Sequence, residues 1–153
     1  METTLSIIAL VISVISGGFA FYTFLWTARR DRKQATLDAY NTLQNEVYDK
    51  INLYRPAEIL EISKHPISKE YNELSALIAR IEHFCVGVNS RIYDRKTVYE
   101  LAHGYFDAAK LKGRISPIID RKNSNADVDY YNNIHHVLEW MDKESTKRRG
   151  KNP

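Results

Sequence analysis

The sequence predicts an all-α protein, in which a single N-terminal transmembrane helix continues into a cytoplasmic antiparallel bundle of about four helices. Residues 5–28 carry no charged side chain, and a basic cluster follows them directly. The rest of the chain repeats apolar residues at helical spacing, without a sustained period-two alternation. The expected parts are an anchor (1–28), a basic juxtamembrane stalk helix (29–55), a helical bundle (56–146) and a disordered basic tail (147–153).

The apolar segment is long enough to cross a bilayer. Its 24 residues would rise about 36 Å as a helix, against a hydrocarbon core of roughly 30 Å. Twelve of them are Leu, Ile, Val or Phe, which together favour the bilayer by about 4–7 kcal/mol. A cleaved signal peptide would begin with Lys or Arg, whereas the only charge before this segment is Glu2. We therefore predict an uncleaved span.

The charge distribution predicts the orientation of the span. Every Lys and Arg lies after residue 28, and Arg29, Arg30, Arg32 and Lys33 follow the span immediately. Basic segments next to a span stay in the cytoplasm. We therefore expect a bacterial inner-membrane protein with its N-terminus outside and its C-terminal domain in the cytoplasm. The four cations should contact anionic lipid, each gaining about 1 kcal/mol.

Small residues form a stripe on the predicted span. Ala9, Ser13 and Gly17 recur every four residues and so share one helix face. Small residues at this spacing let two helix backbones approach closely in lipid. The stripe therefore predicts a homo-oligomer that associates within the membrane.

The stalk should continue the membrane helix without a break. No Gly or Pro lies between Phe19 and Arg55, so the helix is expected to end only at Pro56. Its apolar residues recur at steps of three and four, which is close to a heptad seam. The face that they form consists of Leu37, Tyr40, Leu43, Val47, Ile51 and Tyr54.

Three further helical segments follow. Ser68 is the predicted N-cap of the second helix and Asp94 that of the third. Gly113 indicates a stop before a restart at Ser116-Pro117, and a continuous, kinked helix is the alternative. The last helix begins after Asp127. The apolar stripes comprise Tyr71, Leu74, Leu77, Ile78, Ile81, Phe84, Cys85 and Val88; then Val98, Leu101, Ala102, Tyr105, Phe106 and Ala109; then Tyr131, Ile134, Val137, Leu138 and Met141.

The sequence contains no catalytic or nucleotide-binding signature. It has no glycine-rich phosphate loop, no H-E-x-x-H and no C-x-x-C. We therefore predict no enzyme activity and no cofactor. A metal-dependent hydrolase built on His83, His103 and Asp107 is the alternative. Because no other helix repeats a His/Glu spacing, we predict no metal.

Two groups of polar residues are candidates for structural or binding roles. Glu82, Tyr93, Asp94 and Arg121 would form an internal latch or a ligand cluster, in which Arg121 pairs with Glu82 or Asp94. The second group, Lys110, Lys112 and Arg114, would contact phosphate. No interleaved aromatic residues accompany this second group, so nucleic acid is not the favoured partner.

A set of short motifs supports a resemblance to a known family. The motifs are one span with a basic stop, then Glu82, Gly87-Val88, Tyr93-Asp94, Gly104, Phe106, Ile118, Arg121 and Trp140. In this order they resemble the small bacterial membrane proteins of domain of unknown function family 4760, over most of residues 20–141. The resemblance implies a helical, membrane-anchored module and assigns no catalytic residue. Asn89-Ser90-Arg91 stands where the family pattern leads us to expect a second glycine.

Two functional hypotheses follow. In the first, the cytoplasmic bundle binds an unknown protein partner or small-molecule signal, and the protein self-associates through its span. Small membrane effectors of stress or phage-defence systems have this architecture. The likeness is one of architecture alone and gives no evidence of a shared mechanism. In the second, the protein is a membrane-tethered module that binds a nucleotide or nucleic acid through its basic clusters.

Overall fold

The computed structural model describes residues 2–102, 108–124 and 130–150, and every regular element within these ranges is a helix. The predicted all-α class is confirmed. The elements are α1 (Glu2–Leu43), a π-helical turn (Gln44–Tyr48), α2 (Asp49–Asn52), α3 (Pro56–Ser63), α4 (Lys69–Asn89), α5 (Arg95–Ala102), α6 (Ala108–Asn123) and α7 (Asn132–Arg149). Helix α5 begins the third helix that the sequence predicts, directly after its cap at Asp94, whereas the short α3 was not predicted as a separate helix.

The first helix continues into the domain, as predicted for the stalk. Helix α1 passes directly into the π-helical turn and α2, so that helical backbone extends from Glu2 to Asn52. Pro56 then occupies the first position of α3, where its missing N–H costs nothing. Among the described residues, one helix, near the N-terminus, is long and apolar enough to cross a membrane.

The second part of this continuous helix, residues 36–52, contributes one face to the hydrophobic core. We call it the inner part, and the uncharged residues 5–28 the outer part. Tyr40, Leu43, Val47 and Ile51 are all buried, as their spacing predicts. Tyr48 is also buried, although the heptad pattern does not include it. The π-helical turn explains the difference, because its wider turn brings two successive residues to the inner side.

Helix α4 packs between α1 and α7. It runs antiparallel to the inner part of α1, since Phe84 lies near Tyr40 and Arg80 near Glu46. The Ser68 cap is confirmed, because the Ser68 Oγ accepts a hydrogen bond from the Tyr71 N–H at 3.1 Å. The predicted stripe of α4 is buried except for the half-buried Leu77. Helix α3 packs against α6, and α5 against α1.

The predicted stop at Gly113 is wrong, and the alternative of a continuous helix holds. Helix α6 contains both Gly113 and Pro117. Pro117 lacks the N–H that would bond to the carbonyl four residues earlier, which is that of Gly113. Gly113 is exposed, and a Cβ built there would meet nothing within 4 Å. Water therefore reaches this turn, while the buried Ile115 and Ile118 hold α6 in place.

Helix α7 reaches into the segment that the sequence predicts as a basic tail. Helix α7 extends to Arg149, past residue 147, where we expected a disordered tail to begin. Arg148, in the last turn of this helix, makes two contacts. Its Nε lies 3.3 Å from the Glu144 Oε1, and its guanidinium lies 4.1 Å from the centre of the Tyr99 ring.

Candidate functional site

Glu82 holds α7 against α4. Its carboxylate accepts hydrogen bonds from the backbone N–H groups of Asn133 and Ile134, at 3.1 and 2.9 Å. It also accepts one from the Asn133 side chain at 2.7 Å. The first N–H groups of a helix have no partner within the helix, and a carboxylate there also interacts well with the helix dipole. Glu82 therefore caps α7 from another helix.

The predicted ion pair between Arg121 and Glu82 or Asp94 is wrong. Arg121 lies in the last turn of α6 and is exposed. The Glu82 carboxylate bonds to α7, and Asp94 bonds to Thr97 and Thr36. Both carboxylates are already satisfied by N–H or O–H donors, so within the described part of the chain neither pairs with Arg121.

Asp94 caps α5, as predicted, and ties it to α1. Its Oδ1 accepts hydrogen bonds from the Thr97 N–H at 2.9 Å and the Thr97 hydroxyl at 2.7 Å. Its own N–H donates to the Oγ1 of the fully buried Thr36 at 2.8 Å. Partial burial would raise the pKa of Asp94, but the hydrogen bonds from Thr97 and the charges of Lys33 and Arg32 outweigh it and lower that pKa.

Tyr93 fills a space that only a glycine leaves open. Its ring stacks on Phe84, with 5.2 Å between ring centres. A Cβ built on Gly87 would lie 2.3 Å from the Tyr93 ring. Gly87 and Tyr93, two residues of the family motif, are therefore complementary parts of the packing between α4 and the turn that follows it.

Arg91 is one of the three residues, Asn89-Ser90-Arg91, among which the family resemblance leads us to expect a second glycine. Its φ of 59° lies in the left-handed region. The N–H groups of Ile92 and Arg91 donate to the carbonyls of Gly87 and Val88, at 2.9 and 3.2 Å. This is the Schellman arrangement that ends many helices, in which glycine is the preferred residue. The turn therefore forms without the expected glycine, and Arg91 adopts a strained, left-handed backbone conformation.

An open groove runs between the inner part of α1 and α4. It has a volume of about 500 Å³ and is lined mainly by apolar side chains, with Glu46, Arg80 and His83 among its polar groups. Arg80 and Glu46, which both line the groove, form an ion pair with 2.5 Å between their charged atoms. Beyond Arg80 lies a second hollow of about 650 Å³. We call the first of these the α1–α4 groove; it is lined by Ala39, Thr42, Leu43, Glu46, Val47, Ala79, Arg80, His83, Phe84 and Tyr93.

Cys85 lies in the core behind this groove and is unsuited to nucleophilic chemistry. It is fully buried and makes no disulfide. Burial, and secondarily the negative charge of Glu82, raises the pKa of the Cys85 thiol far above its usual value. Burial likewise raises the pKa of the neighbouring Tyr48 hydroxyl.

Within the described residues, the structure brings together neither the side chains of the alternative metal site nor those of the predicted phosphate contact. His83 lines the groove, whereas His103 and Asp107 lie outside the described residues, and the described residues contain no group of three metal-binding side chains. The side chain of Lys110 also lies outside them. Lys112 is exposed, and Arg114, about 200° away around the helix, hydrogen-bonds to Asn52.

The residues predicted to act in the membrane are accessible. Ala9, Ser13 and Gly17 are exposed, and a Cβ on Gly17 would meet nothing within 4 Å. Arg29, Arg30, Arg32 and Lys33 are exposed as well. The guanidinium of Arg30 lies 5.4 Å from the centre of the Trp26 ring. Self-association and lipid contact remain predictions for these residues.

Comparison with known protein families identifies the family of this chain. The family described as Domain of unknown function (DUF4760) matches residues 10–141. The chain belongs to DUF4760. The match begins in the exposed apolar part of α1 and ends at Met141 in α7, so the DUF4760 unit includes most of this apolar part together with the packed helices. No curated protein and no solved structure matches the chain.

Sequence reasoning singled out Glu82, Tyr93 and Asp94 but missed their partners. Thr36 and Asn133 complete the caps, and neither stands out in the sequence, because single polar residues on long helices are common. The groove was also missed. A signal for it does exist, since Ala39 and Ala79 are small residues next to the apolar stripes of two helices that pack together.

Proposed function

We propose that this chain is a single-pass protein of a bacterial inner membrane, whose helical domain lies in the cytoplasm and binds a partner or a signal. The exposed apolar part of α1 supports the anchor, because it makes no core of its own. The basic residues after residue 28 support the orientation.

The α1–α4 groove is the proposed binding site. It combines an apolar lining with a few polar groups, Glu46, Arg80 and His83, which is the usual composition of a site for a small molecule or an apolar peptide segment. The exposed ion pair between Arg80 and Glu46 is worth little by itself, so an occupant with a charged group can replace it at low cost.

One observation carries this proposal: α1 itself forms a wall of the groove. Ala39, Thr42 and Glu46 belong to the same continuous helix as the apolar segment. An occupant of the groove therefore contacts the helix that enters the membrane. Binding would change the packing of α1 against α4, and the span would transmit that change to a second copy through Ala9, Ser13 and Gly17.

The anchor and its orientation are tested by fractionation and reporter fusions. Full-length protein should stay with the membrane after alkaline extraction. A fluorescent protein fused to its C-terminus, which folds in the cytoplasm, should be bright, and a periplasm-dependent phosphatase fused there should be inactive. Soluble protein, or the reverse reporter pattern, would contradict the proposal.

The binding site is tested by photo-cross-linking in native membranes. A photoreactive amino acid placed at Ala79, in the groove, should give a specific adduct. The same group at Ala57, exposed on α3, serves as the matched control. Adducts of equal yield at both positions, or none at Ala79, would remove the groove from the proposal.

Self-association is tested with adjacent glycines. Gly17→Ile should weaken the oligomer seen by cross-linking, because the larger side chain separates the helices at the stripe. Gly18→Ile adds the same volume about 100° away and should leave the oligomer intact. If both variants behave like the unchanged protein, the stripe does not mediate assembly.

A further inference from the structure

The turn that joins α4 to α5 lies at the end of the domain nearest the apolar segment. The hydrogen bond between the Asp94 N–H and the Thr36 Oγ1, at 2.8 Å, fixes this turn to α1. Thr36 follows Ala28, the last residue of the uncharged segment, by eight positions, which is about 12 Å along a helix. The headgroup layer fills about 5–7 Å beyond the hydrocarbon on each side. The turn is therefore held just below that layer.

A large apolar side chain is exposed in this turn. Ile92 is 61% exposed, whereas most isoleucines in the packed helices α3 to α7 are buried. Its backbone is fixed by the hydrogen bond from its N–H to the Gly87 carbonyl at 2.9 Å. Arg91, beside it, is also exposed and is held in a left-handed conformation. An ordered turn thus presents an apolar and a cationic side chain together.

The surroundings of this turn are positively charged. Lys33 and Arg32 lie close enough to Asp94 to affect its carboxylate. Arg91 and the cations at residues 29, 30, 32 and 33 are all exposed, so the exposed charge of this end of the domain is mainly positive, with Asp31 as the one acidic residue of that short segment. A basic surface with one exposed apolar residue is complementary to an anionic bilayer surface, which offers negative headgroups above hydrocarbon.

We propose that the turn of residues 90–94 docks on the anionic surface of the same bilayer that α1 crosses, with Ile92 inserted among the headgroups and Arg91 on lipid phosphate. This inference rests on the proposed span of α1. The domain would then be held at two points, the helix and the turn. Its orientation relative to the membrane would be fixed, and the α1–α4 groove would face the cytoplasm at a constant angle.

Spin labels on the full-length protein test the docking. Ile92→Cys, Ile67→Cys and Ile12→Cys are each labelled and reconstituted into vesicles of phosphatidylcholine with phosphatidylglycerol. The buried Cys85 reacts poorly and need not be removed. Ile67, 94% exposed before the start of α4, is the matched control, because the helix of 21 residues places it about 31 Å from the turn. Accessibility to oxygen and to a water-soluble nickel complex reports depth.

The expected result has the label at residue 92 at headgroup depth, that at residue 67 in water and that at residue 12 in hydrocarbon. Each unit charge near anionic headgroups changes the docking equilibrium about fivefold. Arg91→Glu, which changes two charges, should therefore shift it about 25-fold, and vesicles of phosphatidylcholine alone should also release the turn. Labels at 92 and 67 that are equally water-exposed, with 12 in hydrocarbon, would overturn the docking and leave the span. A water-exposed label at 12 would overturn both.

Discussion

The two ends of the continuous helical segment, residues 2–52, are built from similar residues but have opposite surroundings. In the outer part, Leu10, Phe19 and Phe24 are 65%, 72% and 68% exposed. In the inner part, Leu43, Val47 and Ile51 are 4%, 1% and 1% exposed. The helix is continuous between them. The difference therefore lies in what surrounds the helix rather than in its backbone.

The comparison shows that apolar content and apolar pattern carry different information. The outer part is apolar on all sides, which suits a helix surrounded by lipid. The inner part confines its apolar residues to one face and carries polar ones elsewhere, which suits a helix that packs on one side. The five changes that follow test this division, from the largest expected effect to the smallest.

The first change removes the same side chain from each part. Leu43→Ala should lower the free energy of unfolding of the domain by about 2–5 kcal/mol, because it leaves a cavity in the core. Leu10→Ala should leave that free energy unchanged. Denaturant titration in micelles, followed by Trp140 fluorescence in proteins that also carry Trp26→Phe, measures both. Equal losses would mean that the outer part also packs on the domain.

The second change places a charge in each part. Ile12→Asp should disfavour membrane insertion by about 3–4 kcal/mol, which combines the cost of the carboxylate and the loss of the isoleucine. Asn41→Asp introduces the same group at an exposed position of the inner part and should leave insertion intact. A glycosylation-mapping assay of insertion gives the values. Unaltered insertion of the Ile12→Asp protein would argue against a lipid-embedded outer part.

The third change affects the packed part alone. Glu82→Gln replaces the carboxylate that caps α7 and should cost about 1.5–3 kcal/mol of domain stability, since its hydrogen bonds are charge-assisted. Glu73→Gln, exposed on the same helix, should cost less than about 0.5 kcal/mol. Amide hydrogen exchange in the first turn of α7 locates the effect. Protection that persists in the Glu82→Gln protein would show that the cap is dispensable.

The fourth change should stabilise the domain. Arg91→Gly relieves the left-handed conformation at the end of α4 and should add about 1 kcal/mol. Ser90→Gly, one residue earlier and in an ordinary conformation with φ of −76°, should instead destabilise by about 0.5–1 kcal/mol. Thermal unfolding in zwitterionic micelles separates the two. A loss of stability in both variants would contradict the strain at Arg91.

The fifth and smallest effect concerns the boundary between the two parts. The pKa of Asp94 is lowered in the folded protein, so its ionised form adds stability above its unfolded pKa, and that contribution is lost as the pH falls through the folded value. Asp94→Asn keeps a capping side chain but cannot ionise. The difference in unfolding midpoint between the two proteins should shrink below about pH 4. A difference independent of pH would show that the charge of Asp94 has no role.

Much of the fold could be predicted because periodicity records burial directly. The stripes of α4 and α7 and the caps at Ser68 and Asp94 follow from local spacing. Gly113 misled the prediction, because a glycine that ends one helix is tolerated within another when its neighbours are buried. Tyr48 was missed, because a π-helical turn changes the period without any marker in the sequence.

The candidate site could be predicted only in part. The sequence marked Glu82 as unusual, since it lies beside an apolar stripe, but not the helix whose N–H groups it binds. Such a partner depends on how α4 and α7 cross, which local spacing does not record. The same holds for the groove, whose walls are 40 residues apart at Ala39 and Ala79.

The π-helical turn at Gln44–Tyr48 determines how the residues before it are rotated about the helix axis relative to those after it. It holds one residue more than an α-helical turn would, so everything before it is rotated by about 100° relative to a regular helix. Deleting one residue there would restore the regular period and swing Ala9, Ser13 and Gly17 about a quarter of a revolution around the axis. In the proposed assembly, the direction in which one copy meets another would therefore depend on this π-helical turn, which lies in the packed part of the chain.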